Sequence, residues 1–475
     1  MSDRTATTER LLGLDPRSLA AFRVALGALL FVDAIDRFRD VSALYSRGGA
    51  LPEPLSATGG LRPSLPFVLS GADLAPTWLI VMAVLSVLLA AGWRTRAVTI
   101  ALWVVNISVQ ARNPLVLYGS DIVVRMMLWW AMFLPLGQAG SADRRAGREG
   151  DPPARVTTFA TAAYTLNMGI LYFSTYVLKT GRTWHEGTAG WYAVHMDGYT
   201  GPLGVAMRSW PGLLMAGTYA TLIAEAVGPI LLFIPWRTWI FRSIVIVTFL
   251  TFHASLELAL EIGWFPWVSM TCWIPLFPGE WWDAIGWRLP AGADEIPSPL
   301  TRVRDAIVAT SFFVIAWWNL ATWAPNHVSV SSPFRQAALV LRLDQHWNMY
   351  APNPSQTDGW FQADATLADG SHVDLVTGRR PTTRKPADVP GLYGSLRWNK
   401  YMHGIWAGSA ERKRYAYLDW WCRTYNATAE VPATEIQLVL VRERSPRPGG
   451  VEPAPERVPM ESVSCDGKRR TAAPE

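Results

Sequence analysis

The stretch LTRVRDAIVATSFFVIAWWNLATW, residues 300–323, decides the fold class of this chain. Its charged side chains stand at its beginning, and none follows Asp305. An α-helix needs roughly 20 apolar residues to cross the hydrocarbon core of a bilayer. The stretch therefore predicts a membrane-spanning helix, and similar stretches elsewhere in the chain predict a polytopic membrane protein.

The composition supports that prediction. Of the 475 residues, 50% are hydrophobic and 17% are charged, whereas a soluble protein averages roughly 25% charged residues. The net charge is +5, but the arginines stand in short clusters between apolar runs, a pattern that orients membrane proteins. We therefore expect membrane lipids and no nucleic acid among the partners. The polar start, residues 1–16, does not resemble a cleavable signal peptide, so the first span is expected to act as an uncleaved insertion signal.

Nine apolar segments are predicted to span the membrane, judged by length and hydropathy. The fold class that follows is an all-α polytopic membrane bundle of about eight to nine spans, residues 17–325, with a small C-terminal α+β extramembrane domain. The third and eighth segments are short, and each is a full span, a re-entrant segment or an interfacial helix. The nine segments are 17–36, 76–93, 96–111, 120–137, 156–178, 212–235, 238–260, 264–278 and 303–323.

Clusters of basic residues predict the orientation of the bundle, because cytoplasmic loops are enriched in Lys and Arg. The clusters follow the second, fourth and sixth segments, so all three fall on the side of the N-terminus. Residues 1–16 are then a cytoplasmic tail, and nine spans place the chain after residue 326 outside the cytoplasm; one span more or fewer would reverse that side. The clusters are Arg94 with Arg96, Arg144, Arg145 and Arg148 with Arg155, and Arg237 with Arg242.

Residues 326–445 are predicted to form the extracytoplasmic α+β domain. The turn signal Ala368-Asp369-Gly370 predicts a hairpin within 360–376. Alternating residues predict a further strand at 435–442, and the aromatic stripe of 393–427 predicts helix.

The end of the chain, residues 446–475, is rich in Pro, Gly and charged residues and is predicted to be a disordered tail. Cys422 and Cys465 either form a disulfide, if their domain lies in an oxidising compartment, or remain free thiols. No spacing of Cys and His is typical of a zinc or iron–sulfur site, so no metal is predicted.

Lys179 at the end of the fifth segment is the strongest candidate for chemistry. A lysine that is partly desolvated at the membrane interface has a lowered pKa and can act as a base. The alternative is an anchor whose ammonium group reaches the interface beside Trp184.

Three other ionisable residues lie within predicted spans, where each is a functional candidate by default. His253 and Glu257 are four residues apart on one helical face and form either a proton relay or a structural pair. Glu225 precedes Gly228-Pro229, and it faces the same cavity or caps the helix defect caused by the proline. Two ligands without a third do not make a metal site.

Two further pairs of charged residues lie within predicted spans. Arg125 stands four residues after Asp121, and Asp33 accompanies Arg23. Each pair is either an intramembrane ion pair or part of a site. The polar and aromatic loop at 191–199 is an interfacial helix or a lid over a cavity. Motifs of serine hydrolases, zinc proteases and nucleotide-binding enzymes do not occur in the sequence.

Several motifs resemble the horizontally transferred transmembrane (HTTM) domain family, which includes the membrane domain of vitamin K-dependent gamma-carboxylases. They occur in the order of that family over about residues 15–280. A further motif, DQHWNMYAPNP at 344–354 followed by Gly359-Trp360, resembles the C-terminal part of bacterial members. The motifs are LDPRSLA at 14–20, FRVALG at 22–27 with Asp33, NP at 113–114, YGSD at 118–121, YFSTYVLKTGRTW at 172–184, FH at 252–253 and IGWFPW at 262–267.

The resemblance implies a set of site residues. The essential lysine base of the carboxylase falls on Lys179, a histidine of its membrane core on His253 and an acidic position on Glu225. Asn113 matches the neighbour of a histidine that assists CO2 addition, but that histidine is Pro114 here. Within the matched motifs and the spans, the candidate substrate-binding residues are Tyr172, Trp184, Trp264, Glu257 and Arg125.

The leading hypothesis is a carboxylase-like or oxygenase-like enzyme at the outer membrane face. The resemblance implies a reduced quinone, such as menaquinol or vitamin K hydroquinone, and a bacterial cytoplasmic membrane. A peptide or protein substrate at the C-terminal domain is a further expectation. The rival hypothesis is a non-catalytic export, maturation or immunity factor that binds a partner through the C-terminal domain. A secondary transporter is the third, supported only by Glu225, His253 and Glu257.

Overall fold

The computed structural model describes residues 3–52, 74–289, 299–466 and 470–471. Helices make up most of the chain to residue 340, and a small sheet with two helices follows. The helices up to that point are α1 Asp3–Leu12, α2 Pro16–Arg39, α3 Ala75–Ala91, α4 Thr95–Arg112, α5 Gly119–Ala131, α6 Ala142–Arg145, α7 Phe159–Leu178, α8 Arg182–His185, α9 Ala189–Ala193, α10 Pro202–Met207, α11 Pro211–Leu231, α12 Thr238–Ala259, α13 Phe265–Thr271, α14 Gly279–Ala284, α15 Pro299–Trp323 and α16 Ser332–Val340.

Four helices within the described part of the chain, α2, α11, α12 and α15, are long and apolar enough to cross a membrane. The prediction of eight to nine spans is not confirmed, although each predicted segment contains a helix. Helix α5 has only 13 residues and α13 only seven. Pro135 and Pro275 follow them within a few residues, and proline restricts the residue before it to extended backbone, which favours an end to the helix.

Helix α2 is central to the bundle. The Asp15 side chain accepts a hydrogen bond from the Arg17 backbone N–H at 2.8 Å, and Pro16 occupies the first helical position; both features favour a helix start. At Gly27 a Cβ atom would lie 2.7 Å from the Ser86 carbonyl oxygen. Only glycine therefore permits the close approach of α2 and α3.

The basic clusters meet α1 at one end of the bundle. The Asp143 carboxylate accepts hydrogen bonds from the backbone N–H of Arg94, which joins the loop before α4 to α6. Arg242 donates to the Leu11 carbonyl at 2.8 Å, and Arg155 donates to the Glu9 carbonyl at 3.5 Å. The loops that the sequence assigned to one side of the bundle thus lie together in the structure.

The C-terminal part contains an antiparallel five-stranded sheet and two helices. The elements are β1 Thr357–Leu367, β2 His372–Asp374, α17 Leu396–Trp406, α18 Glu411–Asn426, β3 Ala433–Arg444, β4 Glu456–Ser464 and β5 Arg470–Thr471. The strands lie in the order β2-β1-β3-β4-β5. The predicted hairpin is confirmed as β1 and β2, and its Gly370 has φ 83°, a conformation that favours glycine. The predicted strand at 435–442 lies within β3.

The prediction of a disordered tail over 446–475 is wrong for β4. This strand pairs along β3, and Val463 is buried against the sheet. A disulfide joins Cys465 just after β4 to Cys422 on α18. The composition suggested disorder because charged residues such as Glu456 and Arg457 at the start of β4 are exposed. The strand forms because it pairs with a distant segment, which the composition does not show. Residues 467–469 and 472–475 lie outside the described residues.

A buried charge network joins the C-terminal domain to the bundle. Arg397 of α17 forms a salt bridge with Asp33 of α2 and lies 3.6 Å from the Asp121 carboxylate of α5. Arg37 of α2 also pairs with both carboxylates, with its Nε 2.8 Å from Asp33. The suggested pair of Asp121 with Arg125 is therefore not formed.

The suggested pair of Asp33 with Arg23 is not formed either, because Arg23 donates to loop carbonyls at the other end of α2. Arg125 instead lies 4.0 Å from the Asp344 carboxylate.

Candidate functional site

A cavity of about 900 Å³ lies between α11 and α12, in the half of the bundle nearest the C-terminal domain. On the side of the cavity away from the C-terminal domain, α11 and α12 are in contact: a Cβ atom on Gly228 would lie 2.7 Å from the Phe249 ring. Toward the C-terminal domain both helices line the cavity instead, from Glu225 back to Leu213 and from Thr248 to Ala259. The walls are mainly apolar, so the few polar side chains on them determine what chemistry is available.

Lys179 and Glu225 form a buried ion pair at the inner end of the cavity. Helix α7 ends at Leu178, and Lys179 Nζ lies 2.8 Å and 2.7 Å from the two Glu225 carboxylate oxygens. The same ammonium group donates to the Thr175 carbonyl at 3.3 Å and lies 4.9 Å from the centre of the Trp184 ring. Both charged side chains are about 5% exposed. Lys179 is therefore paired inside the bundle and does not extend to the interface as a free anchor.

His253 belongs to a hydrogen-bonded cluster beside this ion pair. Its Nε2 lies 2.9 Å from the Tyr172 hydroxyl, which accepts a hydrogen bond from Trp273 Nε1 at 2.9 Å. Either the Tyr172 hydroxyl donates to His253 Nε2 or the Nε2–H donates to the Tyr172 oxygen, so both tautomers satisfy this contact. Within the described residues Nδ1 is buried and has no hydrogen-bond partner. His253 thus contributes a ring to the cavity lining, with its polar edge bonded to Tyr172.

The roof of the cavity combines two motifs that are far apart in the sequence. Gly181 donates its backbone N–H to the Pro352 carbonyl at 3.0 Å, and Trp184 Nε1 donates to the Tyr350 carbonyl at 2.9 Å. A Cβ atom on Gly181 would lie 2.1 Å from Asn353 Oδ1, so the close contact requires glycine. The segment 349–355, just before the sheet, thereby covers Lys179.

The loop at 191–199 also lines the cavity, through Val194, Met196 and Tyr199. It contains the short helix α9 and a 3-10 turn at Asp197–Tyr199. An antiparallel bridge between Thr200 and Leu260 holds this loop against the end of α12. Of the two sequence interpretations, the structure places the loop over the cavity.

Lys400 is a cavity residue that the sequence analysis missed. It lies on α17 of the C-terminal domain and donates to the Tyr199 hydroxyl at 3.0 Å, with Nζ 4.1 Å from the centre of that ring. Burial lowers the pKa of the Lys400 ammonium to about 8. In the sequence Lys400 is one basic residue on an aromatic helix, which does not indicate a cavity. Only the docking of α17 on the bundle brings Lys400 to the cavity.

Four of the residues predicted for the site do not line the cavity. Asn113 caps a 3-10 turn: its Oδ1 accepts from Leu115 N at 3.1 Å, and its Nδ2 donates to the Leu44 carbonyl at 2.8 Å. Glu257 is exposed on α12 and accepts a hydrogen bond from Trp267. Arg125 and Trp264 also lie outside the lining. The face shared by His253 and Glu257 therefore does not form a relay.

Three carboxylates in the described part of the chain, Asp197, Glu443 and Glu452, are close enough together to hold a metal ion. The ammonium group of Lys385 already lies within 2.9 Å of all three. Arg208 also pairs with Asp197 at 2.5 Å. Two cationic side chains of the chain itself thus already compensate two of the three negative charges.

Comparison with known proteins gives one result. A family model described as the HTTM domain matches residues 13–282, which include Lys179, Glu225 and His253 but not Lys400. No curated protein and no solved structure matches the chain. The match covers more than half of the sequence. The chain therefore belongs to the HTTM domain family.

Proposed function

We propose that this protein is a membrane enzyme that removes a proton from a lipid-soluble substrate, with Lys179 as the base. The observation that carries the proposal is the Lys179–Glu225 pair at the inner end of an apolar cavity. A buried ion pair gains little net stability over well-packed apolar side chains. Its position on a cavity wall therefore supports a chemical role.

The route into the cavity supports a substrate from the bilayer. Gly217 and Ala220 of α11 and Thr251 and Ser255 of α12 line the cavity and are exposed. Both helices are long and apolar enough to span a membrane. The gap between them would open to lipid, so a hydrophobic molecule can enter without crossing water.

The residues present fit a quinol. Apolar walls suit a ring and an isoprenoid chain, while Lys179 could hold a hydroxyl oxygen. A bound reduced quinone would supply electrons for a reaction with O2. Lys179 becomes a base when the proton shared with Glu225 rests on the carboxylate, and apolar surroundings favour that neutral state of the pair.

Gamma-carboxylation is not part of the proposal. Pro114 stands where the carboxylase has a histidine for CO2 addition, and Asn113 caps a turn outside the cavity. These positions leave proton removal from a quinol-like substrate as the step that the cavity supports.

The test uses the full chain purified in a mild detergent. Lipid extraction and mass spectrometry are expected to find a bound isoprenoid quinone, and added quinol is expected to drive oxygen consumption. Lys179→Ala should abolish that consumption. Lys413→Ala, on α18 and outside the cavity lining, is the matched control and should keep full activity. Full activity of a well-folded Lys179→Ala variant would refute the proposal.

We further propose that the N-terminus is cytoplasmic and that the C-terminal domain lies outside the bacterial cytoplasmic membrane. The Cys422–Cys465 disulfide supports this side, because disulfides persist in oxidising compartments. Thiol labelling of intact cells with a membrane-impermeant maleimide tests it: Cys422→Ser should expose Cys465 to the reagent, whereas the unmodified chain should remain unlabelled. Labelling of the Cys422→Ser variant only after lysis would place the domain in the cytoplasm.

A further inference from the structure

Lys400 differs from the other lysine of the cavity in how its charge is satisfied. Lys179 faces the Glu225 carboxylate, whereas the contacts of Lys400 within the described residues are the hydroxyl and the ring of Tyr199. Both are weak substitutes for an anion, although a ring face does attract a cation. Lys400 therefore offers an ammonium group to the cavity that no carboxylate of the described chain neutralises.

The contact with Tyr199 shows where Lys400 lies along the axis of α12. The Tyr199 carbonyl accepts a hydrogen bond from the Glu261 backbone N–H, which places Tyr199 just beyond the end of α12. His253 is on the same helix, near the inner end of the cavity. At a rise of 1.5 Å per residue, the level of Lys400 is roughly 10 Å from that of His253 along the axis of α12. Lys400 thus lies at the end of the opening nearest the C-terminal domain.

The wall between these two levels is apolar. It includes Leu214 of α11 and Leu256 and Leu260 near the end of α12, which pack with Val194 of the covering loop. Leu213 and Leu258 also line the cavity, and they are 51% and 65% exposed. A ligand at Lys400 would therefore have an apolar surface beneath its charge, continuous with the gap between α11 and α12.

We propose that the cavity takes an acidic amphiphile, whose carboxylate or phosphate pairs with Lys400 while its hydrocarbon chain lies along α11 and α12. The inference rests on the proposed function only in using the same cavity, and it adds a charged ligand class to the quinol proposed at Lys179. At neutral pH an ammonium group whose pKa burial has lowered to about 8 is still mostly protonated. An anion beside it would supply the counter-charge that Lys400 lacks among the described residues. The chemistry to be done at Lys179 would then take place about 10 Å deeper.

The test measures binding alone, so it is independent of any activity at Lys179. The purified full chain in a non-ionic detergent at pH 7 is titrated with palmitate, hexadecyl phosphate and methyl palmitate, and occupancy is read by native mass spectrometry. The two anionic probes should bind about tenfold or more tighter than the neutral ester, as expected for a charge-assisted hydrogen bond. Equal binding of acid and ester by the unmodified chain would overturn the proposal.

Three variants assign the effect to Lys400. Lys400→Met should remove the preference for the acids while ester binding persists, which also shows that the cavity is intact. Lys400→Arg should retain the preference because it retains the charge. Lys413→Met is the matched control on the same domain and should bind as the unmodified chain does. A preference that survives Lys400→Met, or that is lost in Lys400→Arg as well, would overturn the role of Lys400.

Competition distinguishes an amphiphile from a soluble anion. Butyrate and inorganic phosphate carry the same anionic groups without the chain, and neither should displace palmitate at the concentration at which palmitate saturates the site. Displacement by either at equal concentration would show a soluble-anion site and overturn the assignment of an amphiphile.

Discussion

Two pairs of buried arginines, one at each end of the bundle, are satisfied in different ways. At the end that carries α1, Arg23 and Arg242 donate to carbonyl oxygens of loops and of the chain before α2. At the end that carries the C-terminal domain, Arg37 and Arg397 share the carboxylates of Asp33 and Asp121. The first pair is stabilised by partial charges and the second by full ones.

The difference shows what each pair of arginines depends on. A carbonyl keeps no net charge when its partner is removed, so loss of Arg23 or Arg242 removes only hydrogen bonds. A buried carboxylate that loses its cation retains an uncompensated charge, which costs far more. The network of Arg37 and Arg397 is therefore the more vulnerable of the two, and it joins the domain that covers the cavity to the bundle.

Arg397→Met is expected to give the largest loss of stability. The substitution roughly keeps the side-chain volume but leaves Asp33 and Asp121 with Arg37 alone. Breaking a buried ion pair by removing one partner costs about 3–5 kcal/mol. The measurement is the midpoint of thermal unfolding in detergent, and Arg412→Met on the exposed side of α18 should leave it unchanged.

A double substitution sharpens this prediction. Asp33→Asn removes one of the charges that Arg397→Met leaves uncompensated, so the two losses together should be smaller than their sum. Losses that add fully would show that Arg397 and Asp33 are not coupled and would contradict the account of the junction.

Sequence reasoning identified the helices and the core of the candidate site because both have local signals. Apolar stretches predicted the positions of the helices, and the motif around Lys179 together with Glu225 and His253 predicted residues that the structure brings to one cavity. The number of spans could not be predicted as well, because hydropathy does not show that α5 and α13 end early.

The features that the sequence could not predict depend on distant contacts. Asp121 stands four residues before Arg125, which suggests a pair, yet its cations come from α2 and α17. Lys400 reaches the cavity only because α17 docks on the bundle. Strand β4 looked disordered because its partner β3 and its disulfide to Cys422 lie elsewhere in the chain. Asn113 matched a family position and yet caps a turn.

Arg23→Met, at the opposite end of the bundle, is expected to have the smaller effect. It removes hydrogen bonds of 2.9, 3.0 and 2.8 Å to the carbonyls of Leu136, Ala139 and Gly140. Unsatisfied buried polar groups cost about 1–3 kcal/mol, and water can reach part of this end because Gly140 is exposed. Arg145→Met on the exposed side of α6 is the matched control and should leave the unfolding midpoint unchanged. If Arg23→Met lowered the midpoint as much as Arg397→Met does, carbonyls and carboxylates would stabilise their cations equally, and the contrast between the two ends would be lost.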